Sequence, residues 1–109
     1  MINYNSLFLM KTLTNKIVKN KLLEVMDPEL NISIVDLGLI YGIKVNPKNK
    51  VIITMTLTTI GCPLFSLIED EIRIKLKEIG VYDLHIDLIF DPPWSMDKMT
   101  AKGKVVLGI

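Results

Sequence analysis

The chain has 109 residues, of which 50% are hydrophobic and 23% are charged, with 13 basic and 12 acidic side chains. This length and balance predict one small globular domain and exclude an intrinsically disordered chain. The net charge is only +1, and Arg73 is the only arginine, so the chain lacks the basic patch and the arginine side chains that commonly bind phosphates and bases. Both features argue against a nucleic-acid partner. Single copies of cysteine (Cys62) and histidine (His85) exclude an internal disulfide and a cysteine-rich zinc site within one chain.

The apolar runs are interrupted by charges before they reach the ~20 residues that a membrane span needs. Residues 1–9 lack the basic region of a signal peptide, so the sequence predicts no membrane partner and a cytoplasmic location, where the lone thiol stays reduced. We expect residues 1–9 to form an N-terminal tail, either disordered or due to a misassigned start, and residues 10–109 to form a single domain.

Hydrophobic periodicity predicts a helix from Thr14 that ends at Asp27, because the residue before a proline leaves the helical region. Residues 29–38 are predicted to be a connector whose apolar side chains fold under the domain. Alternating segments then predict two antiparallel strands, Leu39 to Asn46 and Val51 to Thr58, joined by a turn at Pro47 to Lys50. The apolar stripe of this helix comprises Ile17, Val18, Leu22, Val25 and Met26.

A second helix is predicted from Pro63 to Gly80, with proline at its first position and glycine at its end. Period-two alternation returns from Val81 to Phe90 and predicts a third strand. Ser95 is predicted to cap a last helix that runs through Leu107 and ends at Gly108. The second helix has an apolar stripe of Leu64, Leu67, Ile68, Ile72, Leu76 and Ile79.

The polar side chains of the three strands fall on one face of the predicted sheet. Helices packed on the other face would give an α+β fold, a two-layer domain with a mixed three-stranded sheet and the order αββαβα. The polar face is expected to carry Lys44, Asn46, Thr54, Thr56, Thr58, His85 and Asp87. We interpret His85 as an ordinary surface histidine, since no partner is evident.

Cys62 lies at or just before the first turn of the second helix. Unpaired backbone N–H groups and the positive end of the helix dipole favour the thiolate there, which is the form that binds metal or attacks electrophiles. An inert, half-buried cysteine at a helix start is an equally good interpretation. Thr58 and Thr59 are ordinary strand residues or hydrogen-bond donors to the sulfur, while Pro63 fits the first helical position.

Acidic residues and the single tryptophan lie at the ends of the predicted elements. Asp27 with Glu29, and Asp91 before two prolines, are either functional carboxylates or turn residues, and turn chemistry is the simpler interpretation. Trp94 is either a lid over a pocket or, more simply, a core anchor. Asp36 lies within an apolar run and needs hydrogen-bond partners if it is buried, most simply as a backbone cap.

Four segments together resemble a known family: Asp27–Leu30, Val35–Tyr41, Met55–Thr58 with Cys62–Pro63, and Asp91–Trp94. Their order and spacing are similar to those of the SufT/PaaD-like small iron-sulfur cluster assembly family, whose domain is shared with eukaryotic cytosolic iron-sulfur targeting proteins. The resemblance covers the chain from about residue 14 to its end, and stand-alone SufT-like proteins are the most similar branch.

This resemblance implies an assembly or maturation factor, not an enzyme, that delivers iron-sulfur clusters to apo-proteins as a carrier or adaptor. It implies that Cys62 is the functional thiol and metal ligand, with Asp27 as a second candidate ligand. The supporting residues that it implies are Glu29, Asp36, Thr58, Thr59, Pro63, Asp91 and Trp94.

One thiolate per chain cannot supply the four ligands that an iron-sulfur cluster usually takes. A directly bound cluster is therefore expected to be transient and to bridge two chains in a homodimer, to use Asp27 or a small thiol, or to be held by a client. The partners implied are the assembly machinery and the apo-clients. Two alternatives are a metal-free protein adaptor and a thiol-dependent transferase, although the latter lacks a resolving cysteine and an evident base.

Overall fold

The computed structural model describes residues 13–58 and 65–108, which form three α-helices, three strands and a short 3₁₀ helix in the order αββαβα. The elements are α1 (Asn15–Leu22), β1 (Ile40–Val45), β2 (Val51–Met55), α2 (Phe65–Lys77), β3 (Leu84–Leu88), the 3₁₀ helix (Met96–Lys98) and α3 (Ala101–Leu107). The predicted fold class and element order are confirmed.

The three strands form one mixed sheet in the order β1-β2-β3. β2 is antiparallel to β1, with Ile43 opposite Ile53, and parallel to β3, with Ile53 opposite Ile86. The antiparallel pair needs only the hairpin between Val45 and Val51, whereas the parallel pair needs the longer crossover that contains α2. The register slips between Ile40 and Gly42, which places a bulge near the start of β1.

The core lies between the helices and one face of this sheet. Val51, Ile53 and Met55 on β2 are fully buried and form a single cluster with buried residues of both α1 and α2. The opposite face is polar, as predicted, with Lys44, His85 and Asp87 exposed. The helical members of this cluster are Val18, Leu22, Ile68, Ile72 and Leu76.

The connector before β1 adds a large share of the core. Ile34 and Leu37 are fully buried, so its apolar residues fold under the sheet as the sequence predicts. Gly38 has a φ of +79°, and a side chain here would collide with the backbone of Lys98. Glycine is therefore required where the connector passes beneath the C-terminal segment.

Helix α1 ends at Leu22, five residues before the predicted end at Asp27. Glu24 and Val25 donate backbone hydrogen bonds to carbonyls three residues earlier, which tightens and ends the helix. Met26 then pairs with Ser33 in an isolated antiparallel bridge, and that extended conformation is incompatible with a continuing helix.

The predicted last helix, from Ser95 to Leu107, is wrong at its start. Ser95 makes no side-chain capping bond, and only a 3₁₀ turn follows it. The helix is capped instead by Thr100, whose hydroxyl accepts from the N–H of Gly103, and it ends at Gly108 as predicted. The chain is extended at Thr100 because its N–H donates to the carbonyl of Asp36, 2.9 Å away.

Strand β2 ends at Met55, three residues before the predicted end at Thr58. Thr56 therefore does not lie on the polar face: it is fully buried, and its hydroxyl has no hydrogen-bond partner among the described residues. Thr58 is exposed, as predicted. Of the predicted apolar stripe of α2, Ile68, Ile72 and Leu76 are buried, whereas Leu67 is 54% exposed.

Candidate functional site

The Asp27 turn is a rigid structure organised by its own carboxylate. Asp27 Oδ1 accepts hydrogen bonds from the backbone N–H groups of Glu29 and Leu30, both at 2.9 Å. The N–H of Asn31, which has a positive φ of 56°, donates to the carbonyl of Asp27. Turn chemistry thus uses one carboxylate oxygen, while Oδ2 receives no hydrogen bond from a described residue and is left for other contacts.

The Asp27 turn packs beside the first turns of α2. Met26 and Pro28 from the turn, with Leu67 and Ile68 from α2, line a shallow pocket of about 300 Å³. Because residue 64 immediately precedes this helix, the turn flanks the helix end that leads back to residues 59–64. Glu24 and Glu71 also line this pocket.

Asp36 is buried beneath the start of α3. Its Oδ1 accepts a 2.8 Å hydrogen bond from the Thr100 hydroxyl, and its backbone carbonyl accepts from the Thr100 N–H. The expectation that a buried Asp36 needs partners is confirmed, but the partner is a threonine 64 residues away and not a local backbone group. Gly103 permits this contact, since a Cβ there would stand 2.6 Å from the Asp36 carbonyl oxygen.

Trp94 is half-buried and packs against the core, as a core anchor should. Its indole Nε1 donates a 2.6 Å hydrogen bond to the carbonyl of Leu37, next to Asp36 in sequence. Asp91 is exposed and precedes a cis peptide bond to Pro92. The loop that carries Asp91 and Trp94 is therefore fastened to the Asp36 segment, which brings two of the four predicted motifs together.

The same segment borders the end of β2. The N–H of Thr56 donates to the carbonyl of Leu39 at 2.9 Å, two residues before Thr58. The chain that leads from β2 toward residues 59–64 thus runs beside the Asp36 segment, to which Trp94 is hydrogen-bonded. Thr59, Cys62 and Pro63 lie outside the described residues, and so do residues 1–9.

Tyr41 was not singled out by the sequence, although it belongs to one of the four motifs. Its hydroxyl donates to the carbonyl of Pro92 at 2.9 Å, and the ammonium of Lys98 lies 5.1 Å from its ring centroid. Burial raises the pKa of Tyr41 above its ordinary value. The phenol therefore stays protonated and keeps its role as a donor at neutral pH.

Thr100 also escaped prediction, although threonine directly before Ala-Lys-Gly is an acceptable N-cap signal. Its second role, as the partner of Asp36, has no signal in the sequence because it depends on tertiary packing. Within the described ranges, no group of three or more His, Cys, Asp and Glu side chains is placed to hold a metal ion. No helix in those ranges is long and apolar enough to cross a membrane.

Among the described residues, the fold is a small α+β domain in which the Asp91–Trp94 loop is fastened to the Asp36 segment, and no catalytic triad is recognisable. The model of the iron-sulfur cluster assembly protein family matches residues 16–83. The chain belongs to this family, which confirms the predicted resemblance.

Two relatives are similar to the chain over about four fifths of its length. It is 42% identical over 87 residues to the Fe-S protein maturation auxiliary factor YitW of Bacillus subtilis, covering 79% of this chain and 85% of that protein. It is 40% identical to the Fe-S protein maturation auxiliary factor SufT of Staphylococcus aureus, covering 78% and 98% respectively. A crystal structure of a domain of unknown function, DUF59, from Bacillus anthracis superposes with a TM-score of 0.82 at 33% identity, covering 98% and 99%.

Proposed function

We propose that the chain is an iron-sulfur cluster maturation factor that carries or directs clusters to apo-proteins, with Cys62 as the ligand or transfer thiol. The observation that carries this proposal is the family match over residues 16–83, which spans both the Asp27 turn and Cys62. Its relatives named as Fe-S protein maturation auxiliary factors support the same role. The cluster is cargo here, not a permanent redox centre.

The elements on either side of residues 59–64 support this use of Cys62. In the sequence, Cys62 lies between β2 and the 13-residue helix α2, three residues before Phe65, and the positive end of a helix dipole favours the thiolate of a nearby cysteine. The Asp27 turn flanks the same helix end and keeps one carboxylate oxygen available. The supporting residues in this proposal are Glu29, Asp36, Thr58, Thr59, Pro63 and Asp91. Trp94 supports the site as the anchor that fastens the Asp91 loop to Leu37.

A cluster held by this site needs ligands from more than one chain. Each chain contains one cysteine, and four protein ligands are usual for an iron-sulfur cluster. We therefore propose that two chains bridge a transient cluster through their Cys62 thiolates, with Asp27 or a small thiol completing the ligand set. Incomplete protein ligation makes such a cluster easy to release, which suits transfer to a client. A cytoplasmic location keeps the thiol reduced.

The test is complementation of a strain that lacks the gene, with the activity of an iron-sulfur client enzyme as readout. Wild type should restore client activity, and Cys62→Ser should fail at equal protein level. Ser95→Ala is a matched control, because this exposed hydroxyl makes no capping bond. Full client activity in the deletion strain itself would refute a role in maturation.

A metal-free adaptor is a second candidate, favoured by the exposed polar face of the sheet around Lys44, His85 and Asp87. In this case the chain docks clients without binding a cluster. Full rescue by Cys62→Ser, together with lost rescue by a Lys44→Glu/His85→Glu double variant, would select the adaptor over the carrier. A stable acyl or persulfide adduct on Cys62 during turnover would instead indicate a thiol-dependent transferase.

A further inference from the structure

A long groove runs between helix α1 and strand β1. Its main part has a volume of about 1100 Å³ and an apolar floor that includes Val35, Ile40 and Ile89. A second cavity of about 450 Å³ continues it along β1 as far as Asn46, and the two share Asn15 and Ile43 as lining residues. The groove therefore follows all of β1, a length of about 20 Å at 3.3 Å per residue.

Strand β1 presents an unpaired edge to this groove. Among the described residues it pairs only with β2, so it forms one edge of the sheet. The N–H of Asn46 bonds the carbonyl of Lys50, and antiparallel pairs alternate between bonded and non-bonded positions. This alternation turns the N–H and C=O groups of Ile43 and Val45 away from β2. Such groups are a template for an added strand.

The groove is strongly basic, although the whole chain has a net charge of only +1. Among the described residues, Asp36 is the only acidic residue that lines it, and its carboxylate is buried and bonded to Thr100. The described residues offer no ion-pair partner to any of the lining lysines. These are Lys16, Lys19 and Lys98 in the main part, with Lys44 and Lys50 in the continuation.

We propose that this groove binds an extended, acidic segment of a partner protein, which adds to β1 as a fourth strand. Backbone groups of Ile43 and Val45 would pair with it, alternate apolar side chains would reach the groove floor, and carboxylates would face the lysines. A second copy of this chain is a poor occupant, because its own β1 groove would bring a like-charged rim against this one. The inference rests on the proposed function only in making that partner a component of cluster maturation.

The groove end near Ile40 gives the site a functional position. Ile40 pairs with Met55, the last residue of β2, from which the chain continues toward residues 59–64. One end of a segment bound along β1 would therefore lie near Met55, at the end of β2 from which the chain continues toward residues 59–64.

The probe is a fluorescein-labelled eight-residue peptide that alternates glutamate with valine, titrated against the full chain and followed by fluorescence anisotropy. The acidic peptide should bind, and the same peptide with lysine in place of glutamate should not. A version N-methylated at every second residue, which loses its pairing N–H groups, should also fail to bind. Amide NMR signals of Ile43 and Val45 should shift most on addition of the acidic peptide.

Two matched double variants distinguish the effect of the groove lysines on peptide binding from the effect of the chain's net charge. Lys16→Glu/Lys19→Glu reverses two groove lysines, and Lys77→Glu/Lys102→Glu reverses two exposed lysines that do not line the groove. Each pair lies on helices, and each lowers the net charge by the same amount. The groove pair should weaken peptide binding by about ten-fold or more, equivalent to about 1.4 kcal/mol, while the control pair should leave it within about two-fold.

Binding that both double variants weaken equally, or that the N-methylated peptide retains, would overturn the proposal. Self-association of the free chain through β1 would also overturn it, since the groove would then belong to a second copy. Much tighter peptide binding by a variant that lacks residues 1–9 would overturn it too, because the groove would then belong to the chain's own N-terminal segment. Cys62→Ser should leave peptide binding unchanged, so this result stands or fails separately from cluster transfer.

Discussion

Thr100 joins two parts of the chain through one side chain. Its hydroxyl accepts from the Gly103 N–H, capping α3, and donates to the buried Asp36 carboxylate. We predict that Thr100→Val, which keeps the shape and removes the hydroxyl, lowers the free energy of unfolding by about 1–2 kcal/mol, since it removes a cap and a carboxylate hydrogen bond. Urea unfolding measures this change.

Thr54→Val is the control for this prediction, because Thr54 lies on the open face of β2 and makes no side-chain hydrogen bond to a described residue. It should stay within about 0.5 kcal/mol of wild type. An equal loss in the two variants would mean that the Asp36 contact contributes nothing beyond a generic threonine effect.

Trp94 packs against the core, and its indole N–H donates to the carbonyl of Leu37. A substitution that removes this hydrogen bond tests how much it stabilises the fold. Trp94→Phe keeps most of the ring packing but leaves the Leu37 carbonyl without its 2.6 Å donor. We expect a loss of about 1 kcal/mol in unfolding free energy, with client maturation retained in the complementation assay. Lost maturation in a variant that remains folded would instead identify Trp94 as part of the functional surface.

At the scale of the elements, the sequence predicts what depends on local periodicity. Alternation along Leu84–Leu88 and the apolar spacing of Ile68, Ile72 and Leu76 correctly assign the buried faces of β3 and α2. The predicted ends of the elements are less accurate where a contact with another segment of the chain ends or starts the element. The Met26 bridge to Ser33 shortens α1, and the Asp36 contact moves the start of α3 to Thr100.

The candidate site shows the same division. The Asp27 turn was predictable, because aspartate before proline forms local hydrogen bonds within a few residues. The joining of Asp36 to Thr100, and of Trp94 to Leu37, spans 57 or more residues and leaves no periodic signal. Thr56 was misassigned for a related reason: alternation does not reveal that β2 stops at Met55, after which the chain turns inward.

An ion-pair cluster joins α1 to the turn after α2, and it makes stability depend on pH. Lys21 contacts Glu78 at 2.6 Å, and this contact lowers the pKa of Glu78 and raises the pKa of Lys21. Folding therefore favours the carboxylate form of Glu78. The stability that this gives the folded state is fully present above the ordinary glutamate pKa of 4.5, and it is lost as the pH falls through the lowered folded-state pKa of Glu78.

We predict that Glu78→Gln lowers the melting temperature at pH 7 and that the difference from wild type disappears in acid, below the folded-state pKa of Glu78. Added salt should also reduce the difference, since the pair is near the surface. Glu71→Gln removes the same charge from α2 where the described residues provide no ion pair, so it should change the melting temperature little at either pH. A Glu78→Gln effect that persists unchanged in acid would contradict the ion-pair explanation.

At the scale of the whole molecule, one chain carries one thiol, and this stoichiometry links cluster binding to assembly. If two Cys62 thiolates bridge a cluster, then anaerobic reconstitution with iron and sulfide should give wild-type chain a cluster absorbance and a dimeric elution volume together. Cys62→Ser should show neither, and Ser95→Ala should match wild type. Metal and sulfide analysis should give one cluster per two chains.

The outcome discriminates between the two ways in which this fold can serve maturation. A cluster that Cys62→Ser also binds would exclude the thiol as an essential ligand and direct attention to carboxylates such as Asp27, whose Oδ2 stays available beside α2. If neither chain binds a cluster while wild type alone supports client maturation, the thiol acts through contact with a client-bound cluster. In that case the basic groove along β1 is the feature that brings the client to it, because strand addition holds a flexible segment at a fixed distance from the end of β2.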